Sequence, residues 1–251
     1  MTAADVRRFV GCIAAGGVAV FPADTVYGLA CHPESREAVQ RLYRLKGRAE
    51  AKPAAVMFFD RDLALGALEG LGPRTTAALE RLLPGAVTIL LPNPAGRFPL
   101  AGGGDPGALG VRVPRLDGRL APLAQARIAI LQSSANRAGE GDPRRVEDVP
   151  ESIREGADLV LDGGELPGTP STVVDLSGYE DGGTWTMVRE GAVPRARLVR
   201  DLADRARPAA IVGPSPAISL TTTSHARSPR STPRSPRSSS SSWSASSARW
   251  R

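Results

Sequence analysis

The stretch that decides the fold is Val18-Ala-Val-Phe-Pro-Ala-Asp-Thr-Val-Tyr-Gly-Leu-Ala30. Its first four residues form a short β-branched and aromatic run, which predicts a buried strand. Pro22 lacks a backbone N–H and therefore directs the chain out of the sheet. Gly28 has no side chain, which suits a place where another group approaches the backbone closely. By itself the stretch is equally compatible with a strand, a turn and a second strand that have no function.

Three polar side chains follow this strand directly. Asp24, Thr25 and Tyr27 lie at its predicted exit, and α/β enzymes often hold ligands at the exits of strands. The sequence therefore makes this exit a candidate binding site.

Apolar and turn patterns elsewhere indicate an α/β domain. Thr2 and Asp5 open a first helix as a capping box, and Ser35 caps a helix that ends at Lys46. Further strands are predicted at 54–59, 87–91, 109–113, 128–132, 159–161, 172–176 and 185–189, and further helices at 62–68, 73–83 and 194–205. The Gly- and Pro-rich segment 93–107 is predicted to be a lid or a ligand loop.

Composition restricts the possible classes of protein. The 251 residues carry a net charge of +6, but the six arginines from position 208 onward are accompanied by no acid, and removing them leaves 26 basic and 26 acidic residues. The body is thus neutral, and segment 208–251, rich in Ser, Arg and Pro, is predicted to be disordered. Two cysteines and the absence of a long apolar run predict a reduced, cytoplasmic protein without a membrane contact.

One cluster of cations stands out. The only two lysines of the chain lie in Lys46-Gly-Arg48-Ala-Glu-Ala-Lys52-Pro53, where a helix ends and a loop begins. Three cations at this spacing could hold a triphosphate. A charge run of this kind is more often a solvated surface, so the pattern alone does not decide.

Other polar residues interrupt apolar strands or follow them. Arg112 lies inside an apolar strand, and because a buried guanidinium is costly without a partner, it should face a carboxylate or an anionic ligand. Ser134 and Asn136 follow the strand at 128–132, and Ser171 precedes the one at 172–176. Capping of a turn or helix is the ordinary explanation for these three.

The central stretch resembles Pro-Thr-Asp-Thr-Val-Tyr-Gly-Leu, a motif of the YrdC-type threonylcarbamoyl-AMP synthases. Similar blocks recur in the family's order: the Lys46 to Pro53 cluster, Pro84-Gly-Ala-Val-Thr88, Ser134-Ala-Asn136, Ser171-Thr-Val-Val-Asp175 and Arg189-Glu-Gly-Ala192. Four alanines depart from the family pattern, at Ala23, Ala49, Ala86 and Ala138. Each block is weakly specific, but six in the correct order are strongly so.

The resemblance implies a YrdC-like domain over residues 1–207, with a twisted mixed parallel and antiparallel sheet, flanking helices and an open central cavity. It implies a nucleotidyltransferase that joins L-threonine, bicarbonate and ATP into threonylcarbamoyl-AMP, releases pyrophosphate, and supplies a transferase that modifies tRNA. Lys46 and Arg48 would be catalytic. ATP would be bound by Lys46, Arg48, Lys52, Ser134, Asn136 and Arg189, and threonine by Thr25, Arg112 and Ser171. Mg²⁺ would arrive with ATP, without a metal site of the protein's own. Asp142 lies where family members make a weaker contact with the nucleotide.

Two other interpretations remain open. An RNA-binding module could use the same cavity and the arginines of segment 208–251, and it would show steeply salt-dependent binding without ATP or threonine. The hydroxyls at strand exits and the aromatic content of 4% favour the enzyme, because RNA binding relies on charge and stacking. A non-catalytic relative is the third interpretation, but the four alanines remove no charge.

Overall fold

The computed structural model describes residues 1–49, 52–68 and 70–203. The predicted domain boundary at 207 and segment 208–251 lie outside the described residues.

One mixed sheet organises the described chain. Its nine strands are β1 (Ala19–Pro22), β2 (Tyr27–Cys31), β3 (Ala55–Phe58), β4 (Val87–Pro92), β5 (Ala108–Arg112), β6 (Ala129–Ser134), β7 (Leu159–Val160), β8 (Thr172–Asp175) and β9 (Thr186–Arg189). They lie in the order β7-β1-β2-β6-β3-β5-β4-β8-β9. The pairs β1–β7, β3–β5 and β4–β8 are parallel and the others are antiparallel. The predicted mixed α/β sheet is confirmed.

Helices flank the sheet. They are α1 (Ala3–Ala14), α2 (Arg36–Leu45), α3 (Arg61–Ala67), α4 (Pro73–Leu82), α5 (Glu151–Gly156), α6 (Tyr179–Gly182) and α7 (Arg195–Leu202), with 3₁₀ turns at Gly118–Gln125 and Val146–Asp148. The capping box of Thr2 and Asp5 opens α1, and the Ser35 side chain accepts the Ala38 N–H at the start of α2. Among the described residues, no helix is long and apolar enough to cross a bilayer.

Strand alternation divides the core into two faces. In β3, Val56 and Phe58 belong to the larger cluster, which packs against α2, α4 and α7, whereas Met57 belongs to a smaller cluster beneath α1. Only part of the second face is covered by α1. The strands β4, β5 and β8 continue that face beyond the small cluster, and their polar residues come together there.

The central stretch forms the hairpin of β1 and β2. The strand predicted over the first four residues of the stretch is shifted by one, so that Pro22 is the last residue of β1, still paired with Tyr27, before the chain leaves the sheet. A Cβ at Gly28 would lie 3.0 Å from the Phe21 ring and 3.2 Å from the Ser133 carbonyl oxygen. The close approach predicted at Gly28 is therefore made by the chain itself. The Tyr27 hydroxyl accepts the Gly163 N–H and donates to the Gly164 carbonyl oxygen, both at 2.9 Å, so Tyr27 anchors a loop.

One sequence prediction needs correction. The strand predicted at 128–132 continues to Ser134, so the hydroxyls expected beyond its end lie inside β6. Within segment 93–107, Asn93 bonds to Arg97 and Pro106, and the Ala54 N–H before β3 ties the segment to the body by donating to the Ala101 carbonyl oxygen at 2.9 Å. The segment's described residues line no part of the cavity below, and its role as a lid or ligand loop stays a prediction.

Candidate active site

A small polar cavity of about 110 Å³ lies on the partly uncovered face of the sheet. The alternation of side chains along the strands explains its lining. Arg112 of β5 pairs with Met57 of β3, and Thr88 of β4 pairs with Val173 of β8, so these side chains share one face of the sheet. The residues that line it are Val26, Arg48, Pro53, Ala54, Ala55, Thr88, Arg112, Gln132, Ser133, Ser134, Asp142, Pro170, Ser171, Val173 and Arg189. We call this space the sheet cavity.

Arg48 enters the sheet cavity from the loop after α2. Its guanidinium donates to the Ser133 hydroxyl at 3.0 Å and to the Pro53 carbonyl oxygen at 2.7 Å, and it lies over the Tyr43 ring at 5.9 Å. Its Nε is buried without a hydrogen-bond partner, and burial lowers the pKa of the guanidinium. Arg48 is thus held in place while its charge is not neutralised by a carboxylate among the described residues.

Arg112 is almost wholly buried and does have a carboxylate partner. Its Nη2 donates to Asp24 and to the Thr25 hydroxyl, at 2.7 Å for the latter. The Asp24 carboxylate also accepts the Arg115 backbone N–H at 3.0 Å. The Nε of Arg112 is buried without a partner, so the ion pair does not use the whole guanidinium.

Ser171 and Arg189 form the opposite wall. The hydroxyls of Ser171 and Thr88 lie 2.9 Å apart, and Arg189 donates to the Ser171 carbonyl oxygen at 2.8 Å. Burial lowers the pKa of Arg189; the Asp142 carboxylate opposes this shift and the Arg112 charge adds to it. All three residues line the same cavity.

Lys46 and Asn136 lie beneath the cavity rather than in it. Lys46 is 2 % exposed, and its Nζ donates to the carbonyl oxygens of Ser134 and Asn136 and to the Asn136 Oδ1, at 2.7 and 2.9 Å for the two Asn136 atoms. The Asn136 Oδ1 also accepts the Ser134 hydroxyl at 2.7 Å. Burial lowers the pKa of Lys46 to about 7. Lys46 therefore fastens the end of β6 to the end of α2.

The structure brings five of the nine predicted site residues to the sheet cavity: Arg48, Arg112, Ser134, Ser171 and Arg189. The other four do not line it. Lys46 and Asn136 bond to each other, Thr25 is buried behind Arg112, and Lys52 is exposed to solvent. The predicted contacts of all nine residues with substrate remain predictions.

Asp24, Thr88 and Ser133 complete the site. The sequence placed Asp24 at a candidate binding site without naming its partner, and it gave Thr88 and Ser133 no binding role. Asp24 pairs with Arg112, Ser133 accepts from Arg48, and Thr88 bonds to Ser171. The sequence did indicate that a buried Arg112 needs an anionic partner, and this was the signal that could have identified Asp24. Alternation along β4 was the signal for Thr88, since its neighbours on both sides are core residues.

The described residues contain no group of three or more His, Cys, Asp or Glu side chains that could hold a metal ion. Asp142 is the one carboxylate among the described residues that line the sheet cavity. The donor set of this cavity is therefore suited to anions.

A sequence model of the Sua5/YciO/YrdC proteins, described as "Telomere recombination", matches residues 12–191. The chain belongs to this family. The threonylcarbamoyl-AMP synthase of Mus musculus is 34% identical over 191 residues, which cover 68% of this chain and 62% of the mouse protein. That of Chromohalobacter salexigens is 34% identical over 186 residues, which cover 71% of this chain and 96% of the bacterial protein.

A solved structure, Pyrococcus abyssi Sua5 complexed with L-threonine, superposes with a TM-score of 0.69 at 27% identity, covering 80% of this chain and 58% of that one. The chain thus spans about three fifths of the mouse and archaeal proteins that it matches, and nearly all of the bacterial one. These comparisons therefore establish that this chain belongs to the Sua5/YciO/YrdC family and has its mixed α/β fold.

Proposed function

We propose that this chain is an L-threonylcarbamoyladenylate synthase, which makes threonylcarbamoyl-AMP and pyrophosphate from L-threonine, bicarbonate and ATP. The observation that carries the proposal is the convergence of Arg48 and Arg112, 64 positions apart in the chain, on one cavity that also presents Ser134, Ser171 and Arg189. The names of the relatives and the threonine complex of the archaeal structure support it.

The proposed reaction needs no covalent enzyme intermediate. The threonine amine takes up carbon dioxide derived from bicarbonate and loses a proton, which gives a carbamate. A carbamate oxygen then attacks the α-phosphorus of ATP, and the bond to the β-phosphate oxygen breaks as pyrophosphate leaves. The site has to hold two anions close together and stabilise negative charge on the phosphates.

The residues divide this work by position. Arg48 and Arg189 would stabilise the triphosphate, with Ser134 beside it, while the unpaired part of Arg112 and the Ser171 hydroxyl would bind threonine. Lys52 would reach the phosphates only from outside the cavity, because its side chain is exposed. Mg²⁺ is proposed to arrive as the counter-ion of ATP.

The size of the sheet cavity limits what it can enclose. Cavities that surround a whole small ligand measure about 300–1,000 Å³, whereas this one measures about 110 Å³. We therefore expect threonine and the reacting phosphate to occupy the cavity, and the nucleoside to lie across its mouth.

Replacing Arg48 tests the proposal. Arg48→Ala should reduce threonine-dependent release of pyrophosphate from ATP by about 100-fold or more, since a preorganised donor to developing charge is worth that much. Arg44→Ala is the matched control, because Arg44 is an exposed arginine in the last turn of α2. Pyrophosphate release and thermal unfolding would be measured for both variants. A folded Arg48→Ala protein with normal turnover would contradict the assignment.

The fate of the product is part of the proposal. Threonylcarbamoyl-AMP would pass to a tRNA threonylcarbamoyltransferase in the cytoplasm, and any direct contact of this chain with RNA would be weak. Titration calorimetry with ATP and threonine, separately and together, distinguishes the synthase from an RNA-binding module. The synthase binds both substrates, whereas the module binds RNA in their absence with a steep dependence on salt.

A further inference from the structure

A second and larger cavity, of about 610 Å³, lies beside the sheet cavity. It is formed by the end of α4, the turn before β4, the segment after β5, and α7. Asp24 lines it, and Asp24 is bonded to Arg112 of the sheet cavity, so the two spaces share a wall without merging. We call it the arginine groove, after the arginines that line it: Arg81, Arg115, Arg119 and Arg197.

Most of the negative charge in the groove is neutralised. Three of its four carboxylates are paired with arginines: Asp24 with Arg112, Glu165 with Arg144 and Arg145, and Asp201 with Arg197. The fourth, Asp117, is exposed. The acidic lining therefore contributes little net charge.

Three guanidinium groups keep their charge. Arg81 donates to the Asp201 carbonyl oxygen at 2.8 Å and lies 3.4 Å from the Tyr179 hydroxyl. Arg115 donates to the Pro84 carbonyl oxygen at 3.2 Å, and Arg119 to that of Gly163 at 3.4 Å. A carbonyl oxygen accepts a hydrogen bond without cancelling a charge, so the described part of the groove has a net positive rim.

The floor of the groove is aliphatic. Its apolar side chains are Leu82, Val87, Leu120, Leu166 and Val193. No aromatic residue is among the described residues that line it, so bases would find no stacking surface there. A free phosphate would leave the floor unused. Aliphatic side chains between carboxylates would use both the floor and the rim.

We propose that the arginine groove is a docking site for an acidic peptide segment of a partner protein, in which Glu or Asp alternates with aliphatic residues. Arg115 and Arg119 bind its carboxylates, and the floor receives its aliphatic side chains. The chain's own C-terminal segment does not have this chemistry, because from position 208 onward it contains six arginines and no acid.

Binding of a labelled peptide of alternating Glu and Leu to the full chain tests the proposal by fluorescence anisotropy. Arg115→Glu/Arg119→Glu should weaken binding at least tenfold, and Arg115→Gln/Arg119→Gln by a smaller factor in the same direction. Arg7→Glu/Arg127→Glu is the matched control, because it reverses two exposed charges outside the groove and leaves the C-terminal arginines in place. It should bind within twofold of the parent chain.

A second peptide, with Gln in place of Glu, should bind at least tenfold more weakly than the acidic one. Thermal melting confirms that each variant is folded, and the Gln pair serves if the Glu pair does not fold. Equal peptide binding by the groove and control variants would overturn the proposal, since the C-terminal arginines would then be responsible. Tighter groove-dependent binding of single-stranded RNA than of the peptide would also overturn it.

Discussion

Lys46 and Arg48 are two residues apart, yet they belong to different regions of the molecule. Arg48 lines the sheet cavity, is partly exposed and meets no carboxylate among the described residues. Lys46 lies beneath the cavity, where three oxygen atoms at the end of β6 surround its ammonium group. The cavity region thus presents charge, whereas the region below it uses charge to hold strands and helices together.

Arg112 combines both kinds of behaviour. It lines the cavity with part of its guanidinium and is bound to Asp24 and Thr25 with the rest. The lesson is that a cation in a family motif can serve as scaffold, as ligand contact or as both. The following variants separate these roles through stability and activity.

The largest effect on stability is expected at the wall shared by the two cavities. Arg112→Met should lower the free energy of unfolding by about 3–5 kcal/mol, because it leaves the buried Asp24 carboxylate without its ion-pair partner. Adding Asp24→Asn removes that charge and keeps an acceptor for the Arg115 N–H. We expect the double variant to regain at least about 1 kcal/mol in urea denaturation. Equal stability of the single and double variants would show that the ion pair does not govern this wall.

Substitution of Lys46 should lower stability more than substitution of Arg48 does, whereas substitution of Arg48 should mainly lower turnover. Lys46→Met should lower the free energy of unfolding by about 2–3 kcal/mol, because buried oxygen atoms at the end of β6 lose their donor. Arg48→Met should lower it by about 1 kcal/mol while abolishing turnover under the proposed function. Urea denaturation and pyrophosphate release measure the two quantities. Similar stability losses in both variants would remove the distinction between the regions.

The pH dependence of Lys46 is a smaller effect. Burial lowers the pKa of Lys46 in the folded chain to about 7, against 10.5 as the ordinary value, so between these values the unfolded chain binds more protons. Stability should therefore rise with pH in this window. Between pH 7 and 9 we expect the parent chain to gain about 2 kcal/mol relative to Lys46→Met. A constant difference between the two proteins over this range would contradict the lowered pKa.

The smallest effect is expected away from both regions. Ser35→Ala removes the side-chain cap of α2 and should cost about 0.5–1 kcal/mol. Because α2 leads to both Lys46 and Arg48, the variant also tests whether a loosened helix start reaches the site. We expect unchanged turnover, and a marked loss of turnover would show that the position of α2 controls the cavity.

Local patterns were sufficient for most elements of the fold. The capping residues Thr2 and Ser35 are as the sequence predicts, and the strand ended by Pro22 is so within one residue, because caps and proline act within a few residues. The short helices α5 and α6 escaped prediction, since one or two turns leave too little periodicity to recognise. The extension of β6 to Ser134 escaped as well, because pairing with β2 decides where that strand ends.

The sequence by itself determined which residues carry charge and hydroxyl groups at strand exits, that Arg112 needs an anionic partner, and which family the motifs resemble. Only the tertiary structure decided that this partner is Asp24, 88 positions away, and that Lys46 points into the protein rather than into the cavity. The physical reason is that a long side chain follows the nearest unsatisfied oxygen atoms. For Lys46 these belong to a strand end about 90 positions later in the chain, which no local pattern specifies.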